Sequence, residues 1–248
     1  MDFVWPEGAE AAVSLTFDDG MRSQRELGVP LLNRYGVRGT FYLNPRDDYV
    51  RMLEGWRDAV AAGHELGNHT INHPCSKNFP FISEFGRRAL EEMSFDDIAW
   101  ELDETNKRLS EVFPEQGMVS FAYPCYQPFV GRGATRQSYV PVVLEHCVAG
   151  RGRGEQSNDP RHCDLGYVWS WACERMTAQT LIGIVEQAAT QGRWAILTFH
   201  GIHEGHLSVA EGDLTELCAH LQRSRSRVWS APVAEVAKWV GEQQAALA

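Results

Sequence analysis

The sequence predicts an α/β fold built on a parallel sheet, either open or closed into a barrel. Short apolar runs rich in β-branched residues alternate along the chain with amphipathic stretches of helical periodicity. Polar motifs directly follow several of these runs, and folds of this class carry their sites at the carboxyl ends of the strands. The length of 248 residues suits one such domain, and we expect a single domain over residues 1–248.

The first quarter of the chain shows the alternation clearly. A helix is predicted at 22–35, where three leucines share one face, and another at 51–62, which ends at the helix-stop residue Gly63. Apolar runs predict strands at 12–17, 39–43 and 64–68.

The middle of the chain contains the strongest helix signal. The helix spans 94–113, with Ser94 as a suitable N-cap and two aspartates in the first turn. A strand at 118–123 is halted by Pro124. We further predict an insertion at 75–95, a strand at 140–149 and a long loop at 151–165.

The last third continues the same pattern, which supports a parallel sheet over the whole chain. Helices are predicted at 177–191, 213–224 and 233–247, and strands at 194–199 and 228–230.

The composition excludes some classes of function. A net charge of −10 argues against nucleic-acid binding, which usually needs a basic face. No apolar run approaches the length of a membrane span, and the N-terminus lacks the features of a signal peptide. We therefore expect a cytoplasmic location. The oligomeric state stays open.

The six cysteines form no CxxC pair, so a zinc ribbon or a thioredoxin motif is not supported. In a cytoplasmic protein we expect free and mostly buried thiols. A disulfide between Cys147 and Cys163, or between Cys163 and Cys173, is the alternative.

Two adjacent carboxylates, Asp18 and Asp19, close the first predicted strand in the sequence TFDDG. Like charges so close raise each other's pKa unless a cation lies between them. A divalent metal would remove that cost. The structural alternative is that one carboxylate caps the following helix, and the dipeptide alone leaves both interpretations open.

Two histidines, His69 and His73, follow the third predicted strand in the sequence HTINHP. Histidines four apart can bind one ion from a helical turn or a tight loop. An aspartate from the first motif would complete three ligands and leave positions for water, which is typical of a catalytic metal site. His64 precedes the strand end, and we expect it to be structural.

Two later motifs also lie at predicted strand ends. The sequence FAYPCY occupies residues 121–126, and LTFHG places His200 directly after a late strand. A single strand-end histidine is usually structural, but His200 shares its expected edge with the metal motif.

The order of TFDDG, HxxxHP, the YP motif and LTFHG resembles the polysaccharide deacetylase family, also called the NodB-homology or carbohydrate esterase 4 family. The resemblance covers roughly residues 12–240. It implies a distorted (β/α)7 barrel of the NodB-homology type.

The resemblance also implies the roles of the motif residues. Asp18 would be the catalytic base and His200 the general acid, whereas Asp19, His69 and His73 would bind one divalent metal. We expect Zn²⁺, with Co²⁺, Ni²⁺ or Mn²⁺ as alternatives, because Asp-His-His sites accept several ions.

The sequence departs from the family pattern in its third motif. The family has an Arg there that orients the catalytic Asp, and the matching position is Ala122. We expect Arg151 to replace it. The alternative is that Arg151 and Arg153 are solvated loop residues or bind substrate. The family also implies an Asp that tunes the acid His and a Trp that lines the site. The candidates are Asp159 or Asp164, and Trp169 or Trp171.

Further candidates concern the oxyanion and the substrate. A backbone N–H near Cys125 would hold the oxyanion, and Tyr126 lies beside it. His206 is a candidate substrate contact, and a second metal site on His200, His203 and His206 is a less favoured interpretation. The insertion at 75–95 either walls the substrate groove or is a packing surface.

The resemblance implies a metal-dependent enzyme that removes an N-acetyl group from an amino sugar or a related carbohydrate. With no secretion signal, we expect a small glycan, a sugar precursor or a lipid-linked intermediate as substrate. Two alternatives stay open. One is an esterase for O-acetyl groups or an amidohydrolase for cyclic imides or ureides, and the other is an impaired member that only binds carbohydrate.

Overall fold

A computed structural model describes residues 3–247 of the chain, and its central feature is an eight-stranded sheet. The path of paired strands runs β7-β4-β3-β2-β1-β9-β8, and β10 pairs with the first half of β1. Every pair in this sheet is parallel, as predicted. A separate antiparallel hairpin joins β5 and β6. The strands are β1 (Ala11–Phe17), β2 (Gly39–Leu43), β3 (Glu65–Asn68), β4 (Phe121–Ala122), β5 (Phe129–Val130), β6 (Gln137–Ser138), β7 (Gly150–Arg151), β8 (Trp171–Ala172), β9 (Trp194–Phe199) and β10 (Val228–Ser230).

The two ends of the strand path approach each other. Arg151 in β7 forms an isolated parallel bridge with Val168, which lies just before β8. The sheet is therefore curled, and the predicted distorted barrel is confirmed.

The helices connect the strands; most of them pack on the outer face of the sheet, whereas the last helix packs against residues of the opposite face, including Ala12, Trp194 and Ile196. The main core lies between β1, β2 and β9 on one side and α1, α7 and α8 on the other. No helix of residues 3–247 is both long enough and apolar enough to cross a membrane. The helices are α1 (Val29–Arg34), α2 (Tyr49–Glu54), α3 (Arg57–Ala61), α4 (Pro80–Glu84), α5 (Phe95–Val112), α6 (Val140–His146), α7 (Ala178–Gln191), α8 (Glu211–Arg223) and α9 (Val233–Leu247).

The sheet carries a buried carboxylate that is held by several hydrogen bonds. Glu65 in β3 accepts hydrogen bonds from the Thr40 hydroxyl (2.8 Å), from the Ser120 amide and hydroxyl (both 2.7 Å) and from the Ala234 amide (3.0 Å). A buried carboxylate is tolerated only when such donors compensate its desolvation. This network ties the start of α9 to the sheet.

The predicted strand at 140–149 is wrong, because most of it forms helix α6. Pro141 lacks an amide donor and fits the first turn of a helix, whereas it would interrupt a strand ladder. Only Val143 of this helix is fully buried, and Leu144 is 46% exposed, so the apolar run does not mark a buried strand.

Other boundaries also differ from the predictions. The helix predicted at 22–35 is helical over 22–34, and a π-helical turn, Gln24–Gly28, lies within it before α1. The helix predicted at 51–62 is divided into α2 and α3 around Gly55. The helix at 94–113 is confirmed as α5, and Ser94 and Asp97 form a reciprocal capping box at its start.

Candidate active site

The carboxyl ends of β1, β3 and β9 bring the motif residues to one edge of the sheet. Phe17, the last residue of β1, is in register with Phe41 of β2 and Phe199 of β9. Because the strands are parallel and end together, Asp18 and His200 emerge side by side. His69 follows β3 at the same edge.

Asp19, His69 and His73 form a cluster with the geometry of metal ligands. Oδ1 of Asp19 lies 3.6 Å from Nε2 of His69 and 3.5 Å from Nε2 of His73. One ligand atom from each residue lies within 4.8 Å of the other two. His69 is only 1% exposed, whereas the Asp19 side chain is 40% exposed, so the cluster opens to solvent on one side. These three donors fit a divalent ion with open coordination positions.

The imidazole of His69 is oriented by the backbone. Its Nδ1 lies 2.8 Å from the carbonyl oxygen of Ala122, to which it donates when Nε2 is left free for a metal. A hydrogen bond from the ring nitrogen that does not bind the metal fixes the tautomer and the direction of a ligating histidine. Ala122, which stands where the family has an Arg, therefore still contributes its carbonyl to the site.

The loop that carries His73 is held by a buried carboxylate that the sequence reasoning missed. Glu101 of α5 is 4% exposed and accepts hydrogen bonds from the Ile71 amide (2.8 Å), the Asn72 amide (3.0 Å) and Nδ2 of Asn72 (2.7 Å). The signal was a charged residue on the apolar face of the helix, between the buried Ile98 and Leu102.

The protonation states of the cluster suit metal binding. Burial, together with the neighbouring His69, lowers the pKa of His73 to about 4, so its imidazole is neutral near pH 7. Burial opposes ionisation of Asp19, but the nearby imidazoles of His69, His73 and His200 outweigh it. The pKa of Asp19 therefore lies below its ordinary value. A neutral imidazole, as at His73, and a carboxylate, as at Asp19, are forms that bind metal.

Arg151 lies against Asp18. Its Nη2 atom donates to both carboxylate oxygens of Asp18, at 2.7 and 2.6 Å, and both side chains are almost completely buried. The guanidinium carbon is 5.2 Å from the ring centres of Tyr42 and Tyr126. Arg153, the other candidate in this segment, is half-exposed and pairs with Glu155 instead.

His200 completes the group at this edge. Its Nε2 is 4.0 Å from Oδ2 of Asp19, and its Nδ1 is buried without a hydrogen-bond partner in the described part of the chain. Gln24, which the sequence reasoning also missed, donates through Nε2 to the backbone carbonyls of both Asp18 and His200. This side chain ties the ends of β1 and β9 together.

The structure does not bring either predicted aspartate to His200. Asp159 pairs with Arg161 at 2.7 Å, and Asp164 accepts a hydrogen bond from the Gly166 amide at the start of a 3₁₀ turn. Both carboxylates are used locally, so the expected tuning of the acid histidine by an Asp is not seen. Trp171 lies in β8, paired with Leu197 of β9, and its buried Nε1 has no partner within residues 3–247.

The later histidines do not gather into a second metal site within residues 3–247. His203 accepts a hydrogen bond from the Glu211 amide (3.1 Å) at the start of α8. His206 is exposed, and its backbone carbonyl accepts from Arg175. His64 is structural, as predicted: Nδ1 accepts from the Gly39 amide, and Nε2 lies 3.0 Å from Oδ1 of Asn33.

The expectation that all cysteines are free is wrong for one pair. Cys75 and Cys125 form a disulfide across 50 residues of sequence. The parallel pairing of β3 with β4 places the loops that follow them side by side, which brings the two thiols together. The two alternative disulfides are not formed, because Cys147, Cys163 and Cys173 are free.

The disulfide joins two strained segments that border the site. His73 and Thr70 on one side, and Cys125 and Tyr126 on the other, all have left-handed backbone conformations with φ between 51° and 63°. Such conformations are unfavourable for residues with a side chain and persist where the surrounding structure holds them. The Tyr126 amide donates to the Tyr123 carbonyl (2.9 Å), so it is not available to a substrate.

Comparison with known proteins agrees with this arrangement. The family model described as polysaccharide deacetylase matches residues 6–127, which include both the DD and the HxxxH motifs. The predicted resemblance to the polysaccharide deacetylase family is confirmed.

Solved structures share the fold over nearly the whole chain. A protein from Mycobacterium smegmatis described as a polysaccharide deacetylase is 19% identical, with a TM-score of 0.66 and coverage of 98% of this chain and 94% of that one. A protein from Pseudomonas aeruginosa PAO1 with the same description is 13% identical, with a TM-score of 0.66 and coverage of 96% and 93%. A family 4 acetyl xylan esterase from Clostridium thermocellum, in complex with cobalt, is 20% identical, with a TM-score of 0.55 and coverage of 91% and 89%.

A gellan lyase from Bacillus sp is similar over a short stretch. It is 29% identical over 70 residues, which is 28% of this chain and 3% of the lyase. The similarity therefore covers only part of this chain and a small part of that protein.

Proposed function

We propose that this protein is a metal-dependent hydrolase that removes the N-acetyl group from an amino sugar or a related carbohydrate. One observation carries the proposal. An Asp-His-His cluster, a carboxylate paired with a buried arginine, and a histidine lie together at the carboxyl edge of a polysaccharide deacetylase fold. Each part has a role in hydrolysing an amide.

The ligands would be Asp19, His69 and His73, and the proposed ion is Zn²⁺. When bound there, a divalent ion polarises the acetyl carbonyl and lowers the pKa of water. The cobalt complex of the C. thermocellum esterase supports a divalent ion on this fold.

The protein side chains would perform the proton transfers. Asp18 takes a proton from the attacking water, while Arg151 holds the Asp18 carboxylate in position. A backbone N–H at Cys125 donates to the carbonyl oxygen as negative charge develops there. Nε2 of His200 donates a proton to the departing amine, because an amide nitrogen leaves poorly without one.

The contact between Arg151 and Asp18 weakens the alternative of an impaired carbohydrate-binding member. The feature that favours that alternative is the absence of the family's third-motif Arg, whose position is occupied by Ala122. Arg151 supplies a guanidinium to Asp18 from β7 instead of β4.

Acetate release from matched substrates tests the proposal. The panel pairs N-acetylglucosamine oligomers with O-acetylated xylo-oligomers and follows ring opening of a cyclic imide in parallel, each with zinc and with a chelator. We expect chelator-sensitive acetate release from the N-acetyl substrates. Turnover confined to the ester or to the imide would show that the enzyme hydrolyses that bond instead of the N-acetyl amide. Metal-loaded protein without turnover on any substrate would contradict the proposal.

A further inference from the structure

A cavity lies beside the proposed catalytic edge. It has a volume of about 510 Å³ and is formed by Ser76 and Asn78, by Leu90 and Glu91, and by the segment from Tyr126 to Arg136. Tyr126 connects it to the site, because the ring of Tyr126 also lies 5.2 Å from the guanidinium carbon of Arg151. The cavity therefore borders the residues that surround Asp18, at a distance suited to a neighbouring group of a bound substrate.

Two arginines on the cavity wall have no acidic partner. Arg132 and Arg136 are exposed, and neither lies within ion-pair distance of a carboxylate among residues 3–247. Glu91 is the one carboxylate among the lining residues of the described chain. Its oxygens accept hydrogen bonds from the Ser76 hydroxyl and from the Lys77 amide.

The arginines are presented by a well-defined hairpin. Strands β5 and β6 pair through Phe129 with Ser138 and Val130 with Gln137, and Arg132 and Arg136 lie in the loop between them. Gly131 has a φ of 72°, and a side chain there would collide with the Thr135 carbonyl, so the turn needs glycine. The buried Tyr139 anchors the base of the hairpin, because its hydroxyl donates to the Gln127 carbonyl (2.7 Å).

The guanidinium of Arg136 lies against an aromatic ring. Its carbon lies 4.1 Å from the ring centre of Phe129. Contact with an aromatic face limits its rotation and leaves N–H groups at the edge of the guanidinium plane for a ligand. A planar guanidinium donates two parallel hydrogen bonds to a carboxylate or a phosphate.

We infer that this cavity is a subsite for an anionic group, so that the substrate is an acidic glycan with a carboxylate or phosphate on the residue next to the acetylated sugar. The inference rests on the proposed deacetylation and deepens it by naming the substrate class. Arg132 and Arg136 bind the anion, and Phe129 holds Arg136 in place.

The test compares an acidic glycan with an uncharged counterpart of the same length. The first substrate is an oligosaccharide of alternating N-acetylglucosamine and glucuronate, and the second is the same oligosaccharide with its carboxyl groups reduced to alcohols. We expect kcat/KM to be about 10-fold or more higher for the acidic form, mainly through KM, as is typical of charge-assisted hydrogen bonds. Added salt reduces the difference.

Variants show whether the two arginines cause this preference. In the double variant Arg132→Gln and Arg136→Gln, kcat/KM for the acidic form falls to that for the reduced form. Arg225→Gln removes the same kind of charge from an exposed position outside the cavity and leaves the preference unchanged. Equal kcat/KM for the two forms in the native protein, or a preference that survives in the double variant, overturns the inference.

A binding experiment separates this inference from the proposed function. Calorimetry with the inactive Asp18→Asn variant measures the affinity for both oligosaccharides without turnover. Tighter binding of the acidic form that depends on the two arginines supports the subsite even if neither glycan is deacetylated. Equal affinity contradicts it. A phosphate monoester of an N-acetylglucosamine disaccharide tests the other anion, and stronger binding of that ester assigns the cavity to phosphate.

Discussion

Nη2 of Arg151 donates to both carboxylate oxygens of Asp18, although 133 residues separate the two in sequence. The pair is buried, and the rings of Tyr42 and Tyr126 lie beside the guanidinium. A buried carboxylate held by one guanidinium has little freedom to rotate. We therefore assign Arg151 a positioning role for the proposed base.

Replacement of Arg151 tests that role. We expect Arg151→Met to lower kcat by about 10²-fold, because small displacements of a catalytic group cost about that much. KM should change little, and added guanidinium ion should restore part of the rate. Arg153, two residues further along the chain, offers a matched control. Arg153→Met removes the same charge, but Arg153 pairs with Glu155 and not with Asp18. Equal losses in both variants would contradict the assignment, and the melting temperature shows whether either variant is merely unfolded.

The two neighbouring aspartates should respond differently to the same substitution. Asp18→Asn removes the proposed base and should lower kcat by about 10³-fold, within the range for general base catalysis, while one metal ion per chain is retained. Asp19→Asn removes a proposed ligand and should lower metal affinity by at least about 10-fold. Metal content by atomic emission and acetate release on the same samples separate the two effects. Loss of metal from Asp18→Asn would refute the division of roles.

The disulfide between Cys75 and Cys125 should stabilise the metal site as well as the fold. It connects the loop that carries His73 with the turn at Cys125, and both segments contain left-handed residues. We expect the double variant Cys75→Ser and Cys125→Ser to lose about 2–4 kcal/mol in the free energy of unfolding and to bind zinc more weakly.

Reduction with a dithiol that is removed before zinc is added provides the control for the disulfide prediction. It should lower the zinc affinity of the native protein but not that of the double variant. Cys163→Ser, which removes a free thiol, should behave like the native protein. An unchanged zinc affinity after complete reduction would show that the disulfide does not support the site.

His64 should make the stability of the fold depend on pH. Burial, with the charge of Arg38 second, lowers the pKa of His64 from 6.5 to about 4. Below pH 6.5 the unfolded chain binds a proton that the folded chain does not, so the free energy of unfolding decreases as the pH falls from 6.5 towards 4. The decrease amounts to at most about 3–4 kcal/mol, since each pKa unit corresponds to about 1.4 kcal/mol.

Urea unfolding of the His64→Gln variant at several pH values measures this contribution. The variant is expected to be less stable than the native protein at pH 7.5, because the contacts with Gly39 and Asn33 are altered. Its stability should nevertheless decline less steeply below pH 6.5. Parallel curves for the two proteins would show that His64 is not the group responsible.

The sequence by itself determined the parallel α/β class and the edge at which the motif residues meet. Periodicity predicted α5 and β9 closely, because their apolar patterns and caps are local properties of the chain. The positions of Asp19, His69 and His73 followed from strand ends, since parallel strands place these ends together.

The tertiary structure decided what local pattern does not contain. Residues 140–149 have a β-branched composition, yet Pro141 and the limited burial of this segment give helix α6. Glu101 ordering the His73 loop, the disulfide of Cys75 with Cys125, and the contact of Arg151 with Asp18 all join separate elements. Each depends on the strand order and register of the sheet, which bring distant segments together. For Glu101 the sequence offered only a charged residue on the apolar face of α5, for Arg151 it offered only the family resemblance, and for the disulfide pair it offered no signal.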